Sequence, residues 1–88
     1  MRRADPHRAL IRALIARYPG LLILTSATEP WASVTFTGTR HRLFCAPGVD
    51  LTGAEEVELP LPRHVVVDLC WRAEAKGIVV EALTIEDD

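Results

Sequence analysis

The chain has 88 residues, of which 49% are hydrophobic and 25% charged, and its formal net charge is −2. This length allows a single domain, residues 1–88, and the composition is typical of a folded globular protein rather than a disordered one. No run approaches the roughly 18 consecutive apolar residues of a membrane span, and two cysteines are too few for a disulfide framework, so we expect a cytoplasmic protein with reduced, buried thiols.

An N-terminal helix is predicted between Asp5-Pro6 and Pro19-Gly20. Asp5 can cap free amides, and proline is tolerated at the first helical position. Pro19 cannot continue the hydrogen-bond ladder, and the glycine after it accepts a left-handed conformation. The apolar residues between these ends form one stripe at helical spacing: Leu10, Ile11, Leu14, Ile15 and Tyr18.

Three short antiparallel strands are predicted next. Residues 21–27 are a brief apolar run, which indicates a buried central strand, and residues 28–31 are interpreted as a turn. Gly38-Thr39 is typical of a two-residue type II′ turn, which would place Phe36 opposite His41. In that register one face of the second strand of this hairpin carries His41, Leu43 and Cys45, and the other carries Arg40, Arg42 and Phe44.

Residues 46–61 are predicted to form a loop followed by a short extended segment. Pro, Gly and Asp residues mark a loop over residues 46–56, and capping-box spacing from Thr52 to Glu55 allows at most a single helical turn. Residues 57–61 alternate apolar and polar side chains. Pro60 and Pro62 cannot donate to a ladder, so this segment is an edge strand or an extended arm.

Residues 64–76 fit two interpretations. Three consecutive valines and alternation through Trp71 favour a strand, whereas Ala73-Glu-Ala-Lys76 is also compatible with a second helix. A three-residue loop over residues 75–77, with Gly77 in the left-handed position, favours the strand. It predicts a C-terminal hairpin in which Leu69 faces Leu83.

The predicted architecture is therefore α+β: an N-terminal helix packed on one face of an antiparallel sheet of about 5–6 strands. One helix covers only part of such a sheet, and an uncovered apolar face usually marks an interface. The leading hypothesis is a non-enzymatic protein that acts by self-association as a homodimer, or by binding another protein. The candidate interface residues are Arg40, Arg42, Phe44, Val66, Cys70, Val80 and Ala82.

Nucleic-acid binding is the alternative hypothesis. Arg8, Arg12 and Arg17 lie on the polar side of the predicted helix, and Arg2 and Arg3 precede it. The negative net charge and the lack of a recognisable nucleic-acid-binding motif argue against it. Residues 1–45 carry seven Lys/Arg and two Asp/Glu, and the acidic second half can neutralise this excess. A small-molecule-binding protein is a third hypothesis.

No catalytic residue, cofactor or metal site is predicted. The side chains able to bind zinc are His41, Cys45, His64 and Cys70, and they lack the close pairing of structural zinc sites. Catalytic sets can be assembled from Cys70, His64 and Asp68, or from Ser26, His41 and Asp68. No nucleophile elbow or ordered motif supports either set.

Three segments carry a resemblance: Trp31-Ala-Ser-Val-Thr-Phe-Thr-Gly-Thr-Arg-His41, Leu61-Pro-Arg-His-Val-Val-Val-Asp68 and Glu81-Ala-Leu-Thr-Ile-Glu86. They resemble segments of small uncharacterised bacterial α+β proteins. The resemblance implies no activity and transfers no site residue, and it agrees with a compact intracellular protein.

Overall fold

The computed structural model describes residues 5–87, which form one α-helix and a four-stranded antiparallel sheet. The helix is α1 (Pro6–Arg17), and the strands are β1 (Ile23–Ala32), β2 (Thr37–Cys45), β3 (His64–Glu74) and β4 (Gly77–Glu86). Their order across the sheet is β1-β2-β4-β3. The α+β class and the N-terminal helix are confirmed, but the sheet has four strands rather than five or six.

Helix α1 has the predicted start. Asp5 is the N-cap residue, and its Oδ1 accepts the backbone N–H groups of His7 at 3.0 Å and Arg8 at 3.3 Å. Leu10 and Leu14 are buried in the same apolar cluster as residues of the sheet. The apolar stripe therefore holds the helix against the sheet.

The first hairpin turns at residues 33–36, so the predicted turns at residues 28–31 and at Gly38-Thr39 are wrong. Ser33 Oγ accepts the backbone N–H of Phe36 at 3.0 Å and thereby closes the turn. Ser33 therefore closes the turn, a role that the sequence pattern assigned to Gly38.

Gly38 lies inside β2 for a steric reason. A Cβ atom at this position would lie 2.2 Å from the backbone oxygen of Thr84 on β4. Only glycine permits this close approach of two backbones. In the sequence, a glycine with this role is indistinguishable from a turn glycine.

Strand β1 is an edge strand and most of its residues are exposed, so the buried central strand predicted at residues 21–27 is wrong. Pro30 lies within this strand. Proline has no backbone N–H, and an edge strand tolerates this because the N–H groups on its outer side pair with no other strand. The strand therefore passes straight through the predicted turn.

Strands β3 and β4 form the predicted C-terminal hairpin, and no second helix forms at residues 64–76. The turn has two residues, 75–76, because Glu74 pairs with Gly77. The predicted three-residue loop is therefore wrong by one residue, and Leu69 pairs with Ala82 instead of Leu83. A shift of one residue moves side chains to the opposite face of a strand.

The irregular segment covers one face of the sheet together with α1. Residues 46–56 contain a single 3₁₀ turn, Ala54–Glu56, as the sequence allows, and Leu51 and Ala54 are buried in the core. Residues 57–61 form an extended arm with buried Leu59 and Leu61 rather than a strand. We call the face of the sheet under α1, this loop and this arm the helix face, and the other face the open face.

Candidate functional site

The open face carries no helix within the part of the chain that the structure describes. Side chains alternate along each strand, so pairing and burial assign them to the two faces. The polar side chains of the open face are Thr25, Glu29, Arg40, Arg42, Asp68, Cys70, Arg72, Glu74 and Glu81. The apolar ones are Ala27, Trp31, Phe44, Val65, Val79, Leu83 and Ile85.

The structure divides the seven candidate interface residues between the two faces. The open face holds Arg40, Arg42, Phe44 and Cys70. The helix face holds Val80 and Ala82, both buried in the core, and Val66, which packs against it. The one-residue shift of the C-terminal hairpin explains the position of Val80 and Ala82, and it places Leu83 on the open face instead. A β-bulge between Val66 and Asp68 moves Val66 to the helix face.

Charges on the open face are sorted by strand. Arg40 and Arg42 lie on β2, and Glu81 lies beside Arg42 on β4. Asp68 lies on β3, next to Leu83 of β4. Two of the three cations therefore lie on one central strand, and Glu81 and Asp68 lie on the strands on the far side of it. There are two exceptions: Glu29 lies on β1, opposite Arg40, and the third cation, Arg72, lies on β3.

Arg72 forms the ion pairs found among residues 5–87. Its Nε donates to Glu74 at 2.8 Å, and its Nη1 lies 3.5 Å from a carboxylate oxygen of Glu81. Both contacts are exposed, so each contributes little to stability. Arg40 and Arg42 make no such pair within the same residues, and their guanidinium groups are available to a partner.

A groove of ≈ 360 Å³ crosses the centre of the open face. Arg40, Arg42, Asp68, Cys70 and Glu81 are among the residues that line it. With Glu29, which also lines it, its walls combine two cations with three carboxylates and a thiol. Cys70 is exposed here, which corrects the expectation that both thiols are buried.

Cys45 lies on the helix face and is buried, and burial raises the pKa of its thiol. A buried thiol with a raised pKa is a poor nucleophile. Within residues 5–87, no three His, Cys, Asp or Glu side chains are placed to share a metal ion.

A second polar site lies under α1, on the helix face, and the sequence pattern did not reveal it. Ser26 Oγ is 2.9 Å from Nε2 of His7, and Nδ1 of His7 is 3.0 Å from Nδ1 of His41. Nε2 of His41 is in turn 2.8 Å from Oγ1 of Thr84. These contacts form one continuous chain, which we call the histidine chain: Ser26, His7, His41 and Thr84.

The two imidazole rings of the histidine chain meet edge to edge. Their planes are within 5° of parallel and their centroids are 5.3 Å apart, although the facing nitrogens are only 3.0 Å apart. The distance between the centroids exceeds the distance between the nitrogens by so much that both nitrogens must lie close to the line that joins the ring centres. This is the geometry of an N–H···N hydrogen bond and not of a face-to-face stack.

His41 is 2% exposed, and its environment favours the neutral ring. Burial is the main cause, and the neighbouring His7 and His64 add to it, while Asp5 opposes them; together they lower the pKa of His41 to about 4. At neutral pH the ring therefore has one N–H and one free nitrogen lone pair. It can accept a hydrogen bond at one end and donate at the other.

Neither catalytic set considered in the sequence is assembled. Asp68 and Cys70 lie on the open face, whereas the histidine of each set lies on the helix face, His64 on β3 and His41 on β2. Ser26 also lies on the helix face. Ser26 and His41 are nevertheless connected through His7, which neither catalytic set includes. His7 lies three residues before Leu10 and seven before Leu14, so its helical position on the buried stripe was a usable signal.

The arginines of the alternative hypothesis lie on the outer side of α1. Arg8, Arg12 and Arg17 are exposed, and the Arg17 guanidinium lies over the Tyr18 ring at 5.3 Å from its centroid. Arg2 and Arg3, the other members of the predicted basic arm, lie outside the described residues.

No family model matches the chain, and no curated protein or solved structure is significantly similar to it. The resemblance to small bacterial α+β proteins therefore stays a prediction. Between residues 5 and 87, no helix has both the length and the apolar character required to cross a membrane.

Proposed function

We propose that this protein is a self-associating α+β module that forms a homodimer through the open face of its sheet. The observation that carries the proposal is the placement of charges on that face: Arg40 and Arg42 on β2 have no ion-pair partner among residues 5–87, and the carboxylates of Glu81 and Asp68 lie on the two strands beyond them. A surface with cations on one side and anions on the other is complementary to a rotated copy of itself.

A two-fold axis parallel to the strands provides this rotation. It reverses the strand order of the partner, so β4 of the partner lies over β2 and β2 of the partner lies over β4. Arg42 then faces Glu81 of the partner subunit, and the reciprocal pair forms at the same time. Glu29 and Asp68 approach each other only at the margin, where solvent screens like charges.

The apolar side chains between these charges supply the remaining contact. Phe44 and Leu83 lie on the two central strands and are half-buried in the monomer. Aligned sheets pack about 10 Å apart, a distance that side chains of this size fill. A domain of this length has a thin stability margin, so association would also stabilise the monomer fold.

The test is a charge-reversal cycle at Arg42 and Glu81, followed by sedimentation analysis. The wild-type chain should sediment as a dimer of the 9.7 kDa chain. R42E and E81R should each weaken the dimer by about 10-fold or more, because each juxtaposes like charges in the contact. The double variant R42E/E81R should recover association, because the reversed pair is again complementary.

The matched control is R12E, which makes the same charge change on the outer side of α1 and should leave the dimer intact. A wild-type monomer at high concentration would contradict the proposal. So would a dimer that R42E does not weaken.

Nucleic-acid binding is favoured by one observation, the exposed arginines Arg8 and Arg12 one helical turn apart on α1. Salt-dependent retention on heparin that R12E abolishes would support this alternative, and no retention at low salt would exclude it. A small-molecule ligand would use the groove of the open face, and a thermal-shift panel tests it.

A further inference from the structure

We propose that Ser26 is a nucleophile activated by His7, that His41 is the positioning residue for His7, and that this site hydrolyses carboxylic esters. The inference rests on the linear arrangement of the histidine chain. It is independent of the proposed dimer, which uses the opposite face of the sheet.

One arrangement of protons satisfies every hydrogen bond of the histidine chain and activates Ser26. His7 carries its proton on Nδ1 and donates it to Nδ1 of His41, which leaves His7 Nε2 free to accept the Ser26 hydroxyl proton. His41 then carries its own proton on Nε2 and donates it to Thr84 Oγ1. This is the order nucleophile, base and orienting group that hydrolytic triads share.

The two ends of the histidine chain have different environments, as a hydrolytic site requires. Thr84 and His41 are buried, so the orienting end is held by the core. Ser26 is exposed, so the nucleophile is accessible to substrate. Because His41 stays neutral, it can accept the Nδ1–H of His7 when His7 takes up a second proton.

Donors for a developing oxyanion are available at the outer edge of β1, which pairs with no other strand among residues 5–87. The backbone N–H of Ser33 donates to the carbonyl of Phe36 at 2.8 Å, and hydrogen-bonded pairs alternate along an antiparallel ladder. This alternation turns the N–H groups of Ser26 and Thr28 away from β2, toward the unpaired edge. They can donate to the oxygen of a carbonyl group attacked by Ser26.

The reaction has two steps. Ser26 Oγ bonds to the ester carbonyl carbon as its proton passes to His7 Nε2, and the carbonyl electron pair moves onto oxygen. When the carbonyl re-forms, the bond to the alcohol oxygen breaks, and the leaving alcohol takes the proton from His7. Water then attacks the acyl-serine by the same proton path, which releases the acid and restores Ser26. The surface around Ser26 is open, so the expected substrates are small activated esters.

The test measures hydrolysis of p-nitrophenyl acetate and labelling by a fluorophosphonate probe, with peptide mapping of the label. We expect the label on Ser26 and a burst of p-nitrophenolate. S26A should abolish the label and lower kcat/KM by about 100-fold, and H7Q should do the same. Thr25 also carries a hydroxyl on β1, but on the other face, so T25A is the matched control and should retain both signals.

The role of His41 is tested by comparing kcat with KM. H41L removes the acceptor for His7 and should lower kcat with little change in KM, whereas H41N keeps an acceptor and should recover part of the rate. If H41L fails to fold, S26A still tests the proposal, because Ser26 is exposed and its substitution should leave the fold intact. The proposal is overturned if S26A hydrolyses the ester as fast as wild type, or if the probe does not label Ser26.

Discussion

His7 on the helix and His41 on the sheet face each other through their Nδ1 atoms at 3.0 Å, so this contact holds one proton. A second proton would place two N–H donors head to head. The contact therefore links the docking of α1 to the protonation state of a buried histidine.

The first prediction is that acid destabilises the fold through His41. The pKa of His41 is 6.5 in the unfolded chain and about 4 in the folded protein. Between these values the unfolded state binds more protons, so the free energy of unfolding falls as the pH falls through this window. The full shift corresponds to about 3 kcal/mol. Urea unfolding at a series of pH values measures it. H41N lacks the titrating ring and should show a flatter profile; parallel profiles would contradict the assignment.

The second prediction concerns the backbone contact at Gly38. G38A places a methyl group 2.2 Å from the backbone oxygen of Thr84, so β2 and β4 must separate. The cost should be about 3 kcal/mol or more in the free energy of unfolding. G20A is the matched control, since its Cβ meets only a Val49 methyl group at 3.5 Å. Equal stability of the two variants would show that Gly38 is not needed in the strand.

The third prediction separates the buried and exposed parts of the apolar stripe on α1. L10A removes a side chain that is 0% exposed and should lower the free energy of unfolding by about 2–5 kcal/mol. I15A removes one that is 40% exposed and should cost clearly less. Denaturant titration of both variants measures the difference. Similar losses would mean that α1 packs through a wider face.

The fourth prediction uses the two cysteines as reporters of the two faces. Cys70 is exposed on the open face and should react with DTNB in the native protein. Cys45 is buried, and the pKa of its thiol is raised, so it should react only after unfolding. If the open face forms the dimer, the rate at Cys70 should fall as protein concentration rises. R42E should remove this dependence on concentration.

The amino-acid sequence by itself determined the features that depend on near neighbours. Asp5, Pro6 and the stripe through Leu10 and Leu14 specify α1, because capping and helical periodicity act within a few residues. The alternation along β2 is equally local, so it predicts that Arg40 and Arg42 share one side of the strand, whichever strands pair with it.

Only the tertiary structure decided how the strands pair. Gly38 lies inside β2, where it allows the backbone to approach Thr84 closely. The hairpin of β1 and β2 turns instead at residues 33–36, where Ser33 closes the turn. The C-terminal turn is one residue shorter than predicted, which moved Val80 and Ala82 into the core. Register depends on contacts between distant residues, and a shift of one residue exchanges the faces.

The histidine chain is the strongest case of this kind. Its members Ser26, His7, His41 and Thr84 are spread over most of the sequence, and no local pattern connects them. They meet because α1 packs on the helix face of the sheet, against β2, and because buried polar groups must find partners. The sequence supplied the chemical groups, and long-range packing brought them within hydrogen-bond distance.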